Sequence, residues 1–140
     1  MSHFVSFDKY SQLTSGVPSF IQLVDLGGIL LLDLLYKELD TRVRLSFDSY
    51  FLYRKMEEGD ALISLDELKN SGYSQGGIYL VQDSDLSLWL SIQSQGCVPH
   101  GKLQHYSIFC LNDLIDVLTL TEPKMELSSL KTHSVPAFGA

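Results

Sequence analysis

The sequence predicts a single β-rich α+β domain, built on mainly antiparallel strands with two or three short helices packed against the sheet. Three observations predict it. Leu30, Leu32, Leu34 and Tyr36, and then Val43, Leu45 and Phe47, recur at the two-residue period of half-buried strands. Short polar or glycine-rich breaks, at Gly27-Gly28 and over Lys37–Thr41, separate these runs where turns belong. Helix-start signals stand near 60–70 and 84–93, with a third candidate at Asn112.

Residues 1–19 mix polar and aromatic types around Gly16 and Pro18, which suits an irregular arm or a short edge strand. Around Gly27-Gly28 the leucines fit either one helical face or two strands joined by a turn. Glycine inside a helix costs about 1 kcal/mol per residue, so the turn is favoured. A hairpin over about 29–56 follows, with Asp48-Ser49 as a bulge before Tyr50-Phe-Leu-Tyr53. Ser64-Leu-Asp-Glu67 has capping-box spacing, so a short helix is expected near 60–70. Ile78–Val81 reads as a strand. Ser84 then fits the N-cap of a helix that puts Trp89 against the core, although Leu86, Leu88, Leu90 and Ile92 also alternate as a strand would. A core Trp89 implies that Trp89→Ala costs about 3–5 kcal/mol. His105–Leu111 reads as a strand with Tyr106, Ile108 and Cys110 on one face, and Asn112–Leu120 fits a helix and a strand equally. Pro123 is expected to close a globular domain of residues 1–123, leaving 124–140 as a loosely held tail.

Composition narrows the function. Of 140 residues 45% are hydrophobic and 19% charged, enough for one core and unlike disordered, collagen-like or coiled-coil chains. Ten Lys+Arg against seventeen Asp+Glu give a net charge of −7, which repels nucleic-acid backbones and anionic lipid while attracting basic partners. The stretch 20–36 is broken by Gln22, Asp25, Asp33 and the glycine pair, and so falls short of a membrane span. With two cysteines and no secretion-like leader, a cytoplasmic protein is expected.

Cys97-x2-His100-x4-His105-x4-Cys110 has the spacing of a zinc knuckle with histidine in the second position. The plainer reading, ordinary cysteines and histidines in an acidic globular chain, is preferred, and no cofactor is expected. Nucleophilic chemistry by these cysteines and histidines, or acid–base work by Glu57-Glu58 or by Asp83 and Asp85, has residue types but no flanking motif. Phosphate-loop, dinucleotide, zincin and nucleophile-elbow motifs are absent from the sequence. The remaining signal is acid interleaved with aromatic: Asp48, Tyr50, Tyr53, Glu57, Glu58 and Asp60 in one stretch, Asp83 and Asp85 before Trp89 in another. Aromatics anchor and carboxylates steer, so these positions are the candidate contacts for a basic protein.

Tyr53-Arg-Lys-Met-Glu-Glu-Gly-Asp60, Ser84–Trp89, His105–Asp113, Val117-Leu118 and Glu122-Pro123 together resemble small bacterial immunity proteins of polymorphic or contact-dependent growth-inhibition toxin systems, over roughly residues 20–123. That resemblance implies a non-enzymatic cytoplasmic inhibitor that binds one toxin domain, often a basic nuclease, in a stoichiometric complex. Contacts in such proteins vary, so it assigns no binding residue. The rivals are a regulatory or ligand-binding domain with a pocket lined by Tyr and Trp, and a zinc module on Cys97, His100, His105 and Cys110.

Overall fold

Strands with one apolar face cannot leave that face in water, so two antiparallel sheets stack inward and two helices cover part of the back of one of them. The computed structural model describes residues 2–7, 16–73, 76–98 and 100–129. In chain order these form β1 (His3–Ser6), β2 (Ser19–Asp25), β3 (Leu30–Tyr36), β4 (Thr41–Phe47), β5 (Tyr50–Glu57), α1 (Leu62–Asn70), β6 (Gly77–Gln82), α2 (Asp85–Gln93), β7 (Gln104–Phe109), β8 (Asp113–Thr119) and β9 (Lys124–Ser129). One sheet has the order β1-β6-β7-β8-β5 and the other β2-β3-β4-β9. Every pairing is antiparallel, giving the β-rich α+β domain that the alternation predicts.

The main core lies between the sheets. Leu30, Leu32, Leu34 and Tyr36 of β3 and Val43, Leu45 and Phe47 of β4 meet Ile78, Tyr106, Ile108, Ile115 and Val117 of the facing sheet. Because successive strand residues point to opposite faces, the five-stranded sheet must also cover its back. Tyr79, Val81, Phe109 and Leu114 do so with Phe4, Ala61 and Leu68, closing a second apolar cluster under α1. Among the described residues no helix lies over the back of the four-stranded sheet. There Asp33 is shut from water by its neighbours' side chains: Arg44 donates from Nε at 2.7 Å and from its terminal nitrogen at 2.9 Å, and Gln22 donates at 2.7 Å.

Several expectations change. Asp48-Ser49 is not a bulge within one hairpin, because the chain there crosses from β4 in one sheet to β5 in the other. The irregular register comes just later, between Tyr50 and Leu52. Ser64 caps nothing at the start of α1, whose N-cap is Ala61. Glu67 instead turns inward and accepts the backbone N–H of Ser2 at 3.1 Å. Asn112–Leu120 contains a strand, β8, whose faces are both covered, so that no two-residue alternation marks it in the sequence. Lys124–Ser129, expected as the start of a tail, pairs with β4 and turns Met125 inward. The rest of that expected tail, 130–140, lies outside the described residues.

Segment 84–93 is the helix of its two readings. Asp83 leaves β6 at a φ of 53°, and Ser84 Oγ accepts the Ser87 N–H at 3.0 Å. That start faces Ser84 and Ser87 toward the sheet, which at 3.6 residues per turn sends Leu88, Trp89 and Ile92 outward. Trp89 is therefore not core: it is 51% exposed.

Candidate functional site

One end of the sandwich gathers the β2–β3, β4–β5 and β8–β9 loops. Asp25, at the end of β2, accepts the Gly27 N–H at 2.9 Å and so shapes its own turn. Tyr50 and Tyr53 reach across from β5 and donate their hydroxyls to the same carboxylate, Tyr53 at 3.1 Å. Their rings meet edge to face at 5.8 Å. The Tyr50 hydrogen bond is the chief reason that the Asp25 carboxyl sits below its ordinary value. In return, the bond to Asp25 pushes the Tyr50 phenol up to about 12 and raises that of Tyr53. Two half-buried aromatic side chains, packed against the edge of the main core, thus have their hydroxyls held in place at this end before any partner arrives.

The neighbouring loops are tied to this cluster. Ser49 pairs its hydroxyl with those of Thr121 at 2.9 Å and Thr119 at 3.2 Å, and its carbonyl accepts the Leu120 N–H. Leu26, Ile29, Phe51 and Leu120 are exposed around the same end. Over 25–29, 48–53 and 119–123 the chain carries Asp25, Asp48 and Glu122 and no lysine or arginine. Acid, ordered phenol and exposed aliphatic groups therefore share one surface.

The candidate contacts do not all share it. Asp48, Tyr50 and Tyr53 come together there. Glu57, Glu58 and Asp60 are exposed at the far end of β5, about 20 Å away at roughly 3.3 Å per residue. Asp83 and Asp85 flank the start of α2 beyond β6, which is separated from β5 by β7 and β8. The two stretches that the sequence singles out fall at three places, the first being split between the two ends of β5, and Asp25, which orders the tyrosines, was not among the candidates. A lone acid before Gly27-Gly28 was the available signal.

A second constellation is buried. His105 and Ser107 point to the back of β7, Asp116 to the back of β8 and Arg54 to the back of β5, where the strand register sets Asp116 beside both Ser107 and Arg54. Ser84 Oγ lies 2.6 Å from His105 Nδ1, and His105 Nε2 lies 2.8 Å from Asp116 Oδ1. Ser107 donates to the same oxygen, and Arg54 Nε donates to Asp116 Oδ2 at 2.9 Å. Burial pushes the Asp116 carboxyl up, but His105, Ser107 and Arg54 outweigh it and hold the group below its ordinary value.

The residue types are those of a serine hydrolase relay, yet the arrangement does not serve one. Ser84 and His105 are each 5% exposed, and Ser84 Oγ is already engaged by the Ser87 N–H. The acid also sits on Nε2 and the serine on Nδ1, the reverse of the usual relay. What the network does is fasten the first turn of α2 to the middle of the five-stranded sheet.

The zinc set is not assembled. His105 has both ring nitrogens engaged on the back of the sheet, whereas Cys110 lies in the core between the sheets. Five residues of strand separate opposite faces. Cys97 is exposed after α2, and the side chain of His100 lies outside the described residues. Among the described residues no three His, Cys, Asp or Glu side chains converge as a metal site. Burial pushes the Cys110 thiol up to about 12, so it is no ready nucleophile.

A cavity of about 490 Å³ runs past Gly16, Val17, Tyr36 and Leu39, and one of about 240 Å³ lies among Val17, Leu65, Leu68 and Phe109, neither touching Trp89. Among the described residues no helix is long and apolar enough to cross a membrane. No protein-family model, curated protein or solved structure matches the chain.

Proposed function

We propose that this protein is a non-enzymatic binding protein for a basic protein partner, and specifically a cytoplasmic immunity protein that neutralises a cognate toxin domain by forming a stoichiometric complex. One observation carries the reading: the loop end pairs three carboxylates with two phenols already ordered by Asp25, beside exposed Leu26, Ile29 and Leu120. Pre-ordered aromatics reduce the entropy lost on binding, and a mainly acidic rim, with Lys124 at its margin, speeds encounter with a basic surface. The net charge of −7 adds long-range steering. Among the described residues the Ser84–His105–Asp116 constellation is sealed and occupied with structural bonds, so it supports no competing hydrolase reading.

The test asks whether a neighbouring gene encodes a toxin domain and, by co-expression with it, native mass spectrometry and a growth-protection assay, whether the two proteins form a complex; a neighbourhood without a toxin gene would count against the reading. A one-to-one complex is expected. Tyr50→Ser combined with Leu26→Ser should weaken it at least about tenfold and abolish protection while the fold is kept. Full protection by that variant would remove the loop end from the interface, and absence of any complex would sink the inhibitor reading.

A further inference from the structure

Helix α2 is inverted. Its sheet-facing side carries serines, with Ser87 1% exposed and Ser84 bonded to His105, while Leu88, Trp89 and Ile92 on the outer side are 48%, 51% and 69% exposed. Positions i, i+1 and i+4 fall within roughly 100° of arc, so these three form one continuous apolar ridge. A surface helix ordinarily turns such a stripe toward the core. Here polar bonds fix the start of the helix to the sheet and Leu86 and Leu90 are half-buried, while Leu88, Trp89 and Ile92 remain outside as a face that no described residue covers.

The charge around that face points to its occupant. Asp83 and Asp85 stand exposed at the start of α2, and from Asn70 to Gly101 the chain has no lysine or arginine. The first cation after it, Lys102, lies in the short turn packed beside the helix. A second copy would bring the same carboxylates against an equally acidic face, and an anionic lipid surface would be repelled likewise. We infer that the outer face of α2 docks an amphipathic basic helix of a partner protein, its apolar ridge against Leu88, Trp89 and Ile92 and its lysines or arginines toward Asp83 and Asp85. The face lies on the back of the five-stranded sheet, apart from the loop end, so the inference stands whether or not a toxin binds there.

Trp89 is the chain's one tryptophan and therefore reports directly on this face. The probes are a synthetic leucine–lysine amphipathic helix and a leucine–glutamate helix of equal length, titrated into the full-length protein. The lysine peptide should give a saturable blue shift of tryptophan emission that weakens with added salt, and the glutamate peptide none. Leu88→Ser with Ile92→Ser keeps the reporter and removes two exposed side chains, so circular dichroism should be unchanged while affinity falls at least about tenfold. Asp83→Asn should reduce both affinity and its salt dependence. Equal shifts with both peptides, or undiminished binding by the double variant, would overturn the inference. A blue shift that grows with protein concentration alone would overturn it too, by assigning the face to a second copy.

Discussion

Removing the Asp116 carboxylate tests whether the buried network holds α2 in place. In Asp116→Ala the His105 Nε2 group, 2.8 Å from the carboxylate, and the Ser107 hydroxyl both lose the carboxylate and keep only each other, at 3.2 Å, so that one buried donor of the two is left without an acceptor. An unsatisfied buried donor costs roughly 1–3 kcal/mol, whereas Arg54, 43% exposed, returns to water at little cost. With the remaining bonds to the charged carboxylate also lost, the cost is about 3 kcal/mol, at the lower end of the range of about 3–5 for breaking a buried pair. His105→Leu alone should cost about 2 kcal/mol, by removing one bond each from Ser84 and Asp116, which keep Ser87, Ser107 and Arg54 as partners. The double variant should cost little more than Asp116→Ala, a coupling of about 2 kcal/mol. Urea unfolding followed by circular dichroism, with the slope unchanged, measures each value.

The pH dependence supplies a second arm. The folded Asp116 value is lowered, so its stabilisation is complete above the ordinary carboxylate value and is lost as pH falls below about 4 toward the folded value. Asp116→Ala should therefore lose less stability on acidification than the parent does. Asp33 is lowered too and keeps some acid sensitivity in both proteins. Costs that add within about 0.5 kcal/mol, or a loss below about 1 kcal/mol for Asp116→Ala, would refute the network as a structural unit.

Three further outcomes are expected. Trp89→Ala should cost only about 1 kcal/mol in urea unfolding, far below the loss for a core tryptophan, because half of the side chain is already in water. Under native conditions a thiol reagent should label Cys97 and leave Cys110 untouched until the protein unfolds, since Cys97 is exposed and the buried Cys110 thiol is pushed up to about 12; mass spectrometry of the labelled peptides decides it. Asp25→Asn should lower the Tyr50 phenol from about 12 toward the ordinary tyrosine value, visible as tyrosinate absorbance appearing at lower pH, and an unmoved titration would show that Asp25 does not order the pair.

What the sequence makes legible follows from how many faces each strand shows to water. β3 and β4 alternate because one sheet face is open, and the Ser84 cap is local, so both can be read from neighbouring residues. β8 is covered on both sides and loses its period, while β9 is too short and too polar outside to stand apart from the serine-rich segment after it. Asp48-Ser49 reads the same whether the chain bulges or changes sheets, since both need small polar residues. The buried network is illegible for another reason. Its members are separated by 21 residues from Ser84 to His105 and by 11 from His105 to Asp116, and only strand register brings them together. The usable hint was polar residues at alternate positions of an apolar strand, His105 and Ser107, opposite a lone acid in the run Leu114–Thr119.

That hint also explains why Trp89 faces water. A helix can be attached to a sheet by apolar packing or by directed polar bonds, and the first choice consumes the apolar side chains that a binding face would need. Here Ser84 reaches His105, and the Asp85 N–H donates to Ser2 Oγ at 3.0 Å, so the first turn of α2 is oriented by bonds whose geometry is fixed. Such bonds contribute less than a buried leucine cluster, but they set position and rotation together. Leu88, Trp89 and Ile92 are then free for another molecule without loosening the sheet beneath them. Attachment and recognition are assigned to different side chains of one helix, so disrupting the network at Asp116 should weaken peptide docking on α2 even though Asp116 lies beneath the helix and away from its outer face.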